Sequence, residues 1–124
     1  MMKWALLFLA GGVGTLARYC FAGVASQILG SRFPYGTLMI NLLGCFFIGF
    51  LVALTQEKLL ISENLKLFLM VGFIGAFTTF STFIFETSGL LKNGQFAAAF
   101  FNVIASLIIG FLFFELGFWL GEIV

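Results

Sequence analysis

From Tyr35 to Thr55 the chain carries no Asp, Glu, Lys or Arg, and most side chains there are aliphatic or aromatic. Wound as an α-helix at about 1.5 Å per residue, such a stretch reaches across the roughly 30 Å hydrocarbon core of a bilayer. It could be the buried helix of a soluble core or a span through lipid, and composition decides between these. Hydrophobic residues make up 62% of the chain and charged residues only 9%, where soluble proteins average about 25% charged. Six basic and five acidic side chains cannot cover a soluble core, whereas lipid asks for no charged shell.

Three more windows obey the same rule. The first covers about residues 4–28 and includes one charge, Arg18; the third covers about 67–85; the fourth runs from about 96 to 121 and meets Glu115 near its far end. The second is 35–55. Polar breaks separate them: Gln27, Gly30, Ser31, Arg32 and Pro34 form a turn, Gln56 to Asn64 a loop, and Glu86 to Gln95, with Gly89, Asn93 and Gly94, the last loop. The expected fold is an all-α membrane protein, a single four-span domain over residues 1–124. Lys3 followed by the apolar Trp4 to Ala10 has the outline of a signal peptide, but the apolar run continues past Gly14 with no polar region after it, so it is read as the first span.

An even number of spans puts both termini on one side, with Trp4 and Trp119 in one interfacial belt. Basic residues near span ends normally set the orientation, and here they balance. Lys3, Lys58 and Lys66 fall on the terminal side, Arg32 and Lys92 on the other, and Arg18 in the half of its span nearer that other side. Such a balance predicts insertion both ways up and pairing as an antiparallel homodimer. The same charges, scattered singly, exclude the clustered basic surface that nucleic acid requires. With no His and no Asp, no nucleophile, base and orienting group can be assembled, and an enzyme is not expected. Cys20 and Cys45 lie in apolar stretches without CxxC spacing and read as packing residues.

Several motifs carry more than one reading. Gly12 to Ala17 fits the pattern of a dinucleotide-binding turn, but neither the preceding strand nor the later acidic residue is present; Gly11, Gly14 and Ala17 read instead as small residues allowing close helix contact. Arg18 sits inside a span, where a central charge costs about 2.5–3.5 kcal/mol on insertion scales; it either snorkels to the headgroups or attracts an anion. Asn41 shares a helix face with Thr37, Cys45 and Ile48, and serves either as interhelical glue or as a donor to an anion. Asn102, Ser106, Gly110 and Gly117 form a small or polar stripe in the fourth span, a packing seam or a pore wall. Glu86 and Glu115 read as interfacial charges.

The third span holds Gly72-Phe73-Ile74-Gly75-Ala76-Phe77-Thr78-Thr79-Phe80-Ser81-Thr82-Phe83, a density of glycines and hydroxyls that a simple anchor does not need. Its two consecutive threonines, Thr78 and Thr79, after a glycine predict an interruption of the helix near its middle, tolerated in lipid only where the freed backbone is buried or lines a polar cavity. Carbonyls freed there suit a cation and hydroxyls suit an anion. Phe80 and Phe83 share a face, and the positive edge of a phenyl ring can meet a dehydrated anion, though single phenylalanines in such a chain commonly pack or face lipid.

Taken together, Gly11-Gly12-Val13-Gly14 with Arg18-Tyr19, then Pro34-Tyr35-Gly36-Thr37-Leu38 with Asn41 and Gly44, then the Gly72 to Phe83 run closely resemble the Fluc (CrcB) fluoride channel family over nearly the whole chain. Thr15 stands where the first motif often has alanine. The resemblance implies a dual-topology antiparallel homodimer in the bacterial inner or plasma membrane, with two fluoride pores built from both subunits and passive export of fluoride from the cytoplasm. It implies that Asn41 lines the pore with Phe80 and Phe83, that Ser81 and Thr82 offer hydroxyls beside it, and that Arg18 stands in the entrance vestibule. It further implies a structural Na+ at the dimer interface, held by the backbone carbonyls of Gly75 and Thr78. Fluoride entering as neutral hydrogen fluoride ionises inside and cannot diffuse back, which a selective leak relieves. Selection against the larger chloride ion requires a narrow path whose donors replace water. A small proton-coupled multidrug transporter shares the size and span count but depends on a glutamate in its first span, where this chain has Arg18. A non-transporting membrane assembly protein would explain the small-residue seams without a pore.

Overall fold

The computed structural model describes residues 1–57 and 61–124; Lys58, counted above toward orientation, lies outside the described residues. Four helices are long and apolar enough to cross a membrane: α1 (Met2–Leu29), α2 (Tyr35–Gln56), α3 (Glu63–Lys92) and α4 (Phe96–Ile123). Their ends follow local chemistry. Gly30 closes α1 with φ 86°, a left-handed conformation suited to glycine. Pro34 leads into α2 with its φ held at −77°. Ser62 caps α3 by accepting the Leu65 N–H at 3.3 Å, and Gly94, with φ 73°, turns the chain between α3 and α4.

The third helix is longer than its apolar window. Instead of spanning 67–85 it continues through polar residues at both ends, and the last loop shrinks from the expected 86–95 to Asn93–Gln95. Hydropathy marks where lipid ends; a helix ends only where its backbone finds a cap. Glu86 is thereby drawn into α3. The turn at residues 30–34 and the turn at 93–95 line one hollow, so these turns share one end of the bundle, where Phe33 also stands 5.7 Å from Phe101 between ring centroids.

Two seams hold the helices. The most extensive is α2 on α4, where Gly49 faces the carbonyl of Phe114 and Gly117 that of Phe46; a Cβ at either position would strike backbone, so glycine sets the helix separation. The second is α1 on the first half of α3, where Gly14 faces the Phe73 carbonyl. Gly11, expected in this seam, has no neighbour within 4 Å of where its Cβ would stand. The small-residue pattern named the right helix and overcounted its contacts. Large apolar side chains such as Phe8, Tyr19, Phe85 and Phe100 lie exposed on the outside, as a lipid solvent allows.

Candidate functional site

The site is built around a break in α3. Gly75 is itself helical, with φ −58° and ψ −36°, and the helix stops after Phe77. Thr78 (φ −86°, ψ 156°) and Thr79 (φ −151°, ψ 119°) are extended, and the helix resumes over Phe80–Lys92. Unpaired backbone groups at bilayer depth cost several kcal/mol each (about 4–8 for transfer into hydrocarbon), so the break exists only because side chains supply partners. Thr78 returns both its N–H and its hydroxyl to the carbonyl of Ile74, each at 3.0 Å. Thr79 caps the second half by accepting the Thr82 N–H at 3.3 Å. Asn41, from α2, donates through Nδ2 to the Thr79 carbonyl at 3.0 Å and accepts the Thr79 N–H on Oδ1 at 2.9 Å. Its amide thus answers both peptide groups of Thr79, as a neighbouring strand would. Gly44, one turn along α2, leaves room for the Thr78 methyl, which a Cβ there would strike.

On one side of the break lies a groove of about 380 Å³ that contains Asn41, Gly75, Thr78, Phe80 and Phe83, together with Ser106 from α4. The two rings stand 5.7 Å apart at 40°. Phe83 is only 7% exposed, whereas Phe80 is 72% exposed. On the other side a hollow of about 260 Å³ takes in Arg18, Thr37, Thr82 and Glu86. Thr79 lines both spaces. A third hollow, of about 430 Å³, opens among the two turns at one end of the bundle with Arg32, Asn93 and Gln95 on its wall, and shares Thr37 and Glu86 with the second. Among the described residues, then, three spaces connected by shared walls follow α3 from the bundle end to the break.

Of the residues singled out in the sequence, Asn41, Gly75, Thr78, Phe80 and Phe83 come together in the groove, and Arg18 and Thr82 in the inner hollow. Ser81 lines neither; it is exposed, with its hydroxyl 3.4 Å from that of Thr79. Arg18 is half-buried, and its Nε is buried without a partner. Among the described residues no cluster of three His, Cys, Asp or Glu can hold a metal, so a cation here relies on backbone or hydroxyl oxygen. The carbonyls ahead of the break are a hard donor set that fits a hard cation.

Sequence reasoning missed Glu86. It is half-buried beside the candidate site: Thr37 Oγ1 donates to its Oε1 at 2.9 Å, and its Oε2 is buried without a partner. A signal was available, since Glu86 follows Thr82 by one helical turn and so continues the hydroxyl face. Also missed was the role of Thr87, which donates to the Phe83 carbonyl at 2.7 Å and accepts from Asn102 Nδ2 at 2.9 Å. Cys20 and Cys45 are free thiols.

Residues 5–118 match the family model described as CrcB-like protein, Camphor Resistance (CrcB). The chain is 41% identical over 122 residues to the fluoride-specific ion channel FluC of Nitrosococcus oceani, covering 98% of each chain. It is 42% identical over 122 residues to that of Solidesulfovibrio magneticus, again with 98% of each covered. With the protein of the same name from Dehalococcoides mccartyi it shares 43% over 120 residues, 96% of this chain and 92% of the relative.

Proposed function

The chain belongs to the CrcB-like family, and from that membership we propose that it is a fluoride-selective ion channel of the cell membrane, working as an antiparallel homodimer and letting fluoride leave the cytoplasm passively. The observation that carries the reading is the mid-span break of α3, held open by Asn41 and flanked by Phe80 and Phe83. A membrane anchor gains nothing from a broken helix, and the break is stable only at the cost of dedicated partners. An ion path needs it, because donors that replace the water of a small anion must lie where lipid would otherwise seal the span.

The roles follow from chemistry. Arg18 and Arg32 border the hollows and raise the local anion concentration. The hydroxyls of Ser81 and Thr82 serve as donors beside the path, and the ring edges of Phe80 and Phe83 present their positive rim to the ion. The exposure of Phe80 supports a box whose two rings come from different subunits: one protomer leaves this ring uncovered, and a second, inverted copy would bring its own Phe83 beside it. Gly75, also exposed, and Thr78 would hold a structural sodium ion through their carbonyls at the dimer axis. Bound there, sodium supplies a fixed positive charge that ties the two copies together. Selectivity over chloride then rests on a path too narrow for the larger ion.

The test is reconstitution in liposomes with fluoride and chloride efflux followed by ion-selective electrodes. Fluoride efflux without chloride efflux is expected; equal flux of both, or neither, refutes the channel. Accessibility of tags at each terminus tests the dimer arrangement, and one uniform orientation rejects it.

A further inference from the structure

In an unbroken α-helix the N–H of each residue returns to the carbonyl four residues earlier. The N–H of Thr79 would answer Gly75, and that of Thr82 would answer Thr78. Neither does so. The Thr79 N–H donates to Asn41 Oδ1 at 2.9 Å, and the Thr82 N–H donates to Thr79 Oγ1 at 3.3 Å. The break takes the helical donors from all four carbonyls of residues 75–78, but of these residues Gly75 and Thr78 line the groove, and it is their two donors that side chains have taken.

We propose that Asn41 and Thr79 are positioning residues for a cation: by standing in for two helical hydrogen bonds, they keep the Gly75 and Thr78 carbonyls free to coordinate it. The proposal rests on the sodium reading above and adds to it the side chains that prepare the site. Asn41 does so from another helix, 38 residues away in sequence, so the cation site is set by how α2 packs on α3. The second hydrogen on Asn41 Nδ2 is not needed for the brace and is left to the groove. Thr79 is fixed on both counts, because its hydroxyl also donates to Thr82 Oγ1 at 3.0 Å; the capping acceptor is therefore oriented rather than free to rotate.

The experiment reads sodium binding by thermal stability of the reconstituted full-length dimer, titrated with sodium against N-methylglucamine, with fluoride flux measured on the same preparations. Thr79→Val removes the acceptor at equal volume and should raise the half-saturating sodium concentration about tenfold, the scale of one lost hydrogen bond to a site of this kind. Thr79→Ser keeps the acceptor and should stay within about twofold. A second pair guards against a variant that does not fold. Asn41→Leu loses the brace and should lose the sodium response, whereas Asn41→Asp still accepts the Thr79 N–H and should keep the response even where its fluoride flux falls. An unchanged sodium response in Thr79→Val or Asn41→Leu overturns the proposal. A wild-type protein that conducts fluoride but ignores sodium overturns the sodium reading and this inference together, and leaves the channel standing.

Discussion

Asn102 and Thr87 give a prediction in which removing the acceptor of one buried hydrogen bond costs stability and removing its donor does not. Asn102 is 1% exposed. Its Nδ2 donates to Thr87 Oγ1 at 2.9 Å, and the Thr87 hydroxyl donates onward to the Phe83 carbonyl at 2.7 Å. Its Oδ1 is buried without a partner. Thr87→Val keeps the shape and removes the acceptor, leaving a buried amide unanswered at both ends. The desolvation cost of such a group is about 1–3 kcal/mol, moderated by the modest value of about 0.6 kcal/mol for interhelical bonds in membranes; we expect a loss of about 1–2 kcal/mol. Asn102→Leu removes the amide altogether, together with the oxygen that already lacks a partner. The bond it forfeits and the burial it gains nearly cancel, and the change should be neutral or stabilising. The double variant should match Asn102→Leu, because Thr87 then has no amide left to strand. Unfolding of the detergent-solubilised protein, followed by helical circular dichroism, gives the three values. If Asn102→Leu costs more than Thr87→Val, the pair is not an isolated bond over an orphaned oxygen, and the reasoning fails.

Asn41→Asp should depress fluoride flux at least about tenfold, since a carboxylate would put negative charge on the groove and face the Thr79 carbonyl without a donor; undiminished flux in the liposome assay removes Asn41 from the pore. Gly117→Ala drives a methyl into the Phe46 carbonyl and should cost about 1–3 kcal/mol by forcing α2 and α4 apart. Gly12→Ala meets nothing within 4 Å and should leave stability within about 0.5 kcal/mol; equal costs in a melting comparison would disprove the seam. Arg18→Gln should lower fluoride flux most at low ionic strength and least at high, because a fixed charge acts through a screened field. A salt-independent loss would mean that Arg18 serves packing alone.

The four spans were legible because lipid imposes a length: about twenty apolar residues between polar breaks admits few parses. Helix ends were not, because caps and interfacial polar residues obey backbone bonding, which hydropathy does not report. That is why 67–85 became Glu63–Lys92. The interruption of α3 could be anticipated from glycines and threonines crowded at bilayer depth. Its location was legible in the two consecutive threonines, which are the extended residues Thr78 and Thr79; that Gly75 would stay helical was not, and neither was the partner on α2 that stabilises the break. Glu86 was left out of the candidate site for the same reason: distance from the span end, counted along the chain, says nothing about Thr37 arriving from another helix to meet it.

The polar side chains inside the bundle divide into two kinds. Asn41 with Thr79 and Asn102 with Thr87 spend their groups on backbone or on one another, and each such pair joins two helices. They behave as scaffold, Asn41 keeping one Nδ2 hydrogen for the groove it lines. Among the described residues, four buried side-chain atoms have no partner: Arg18 Nε, Glu86 Oε2, Ser106 Oγ and Asn102 Oδ1. The first three belong to residues lining the inner hollow or the groove, and only Asn102 lines none of the three spaces. An unanswered polar atom in lipid is expensive unless something else solvates it. Where it borders a hollow, water there would be that solvent, donating to Glu86 Oε2 and accepting from Arg18 Nε, and an anion in the hollow would be answered by Arg18 Nε or Ser106 Oγ alone. Asn102 has no such relief, which is why its removal should cost so little while Arg18, Glu86 and Ser106 should each be missed in conduction before they are missed in stability.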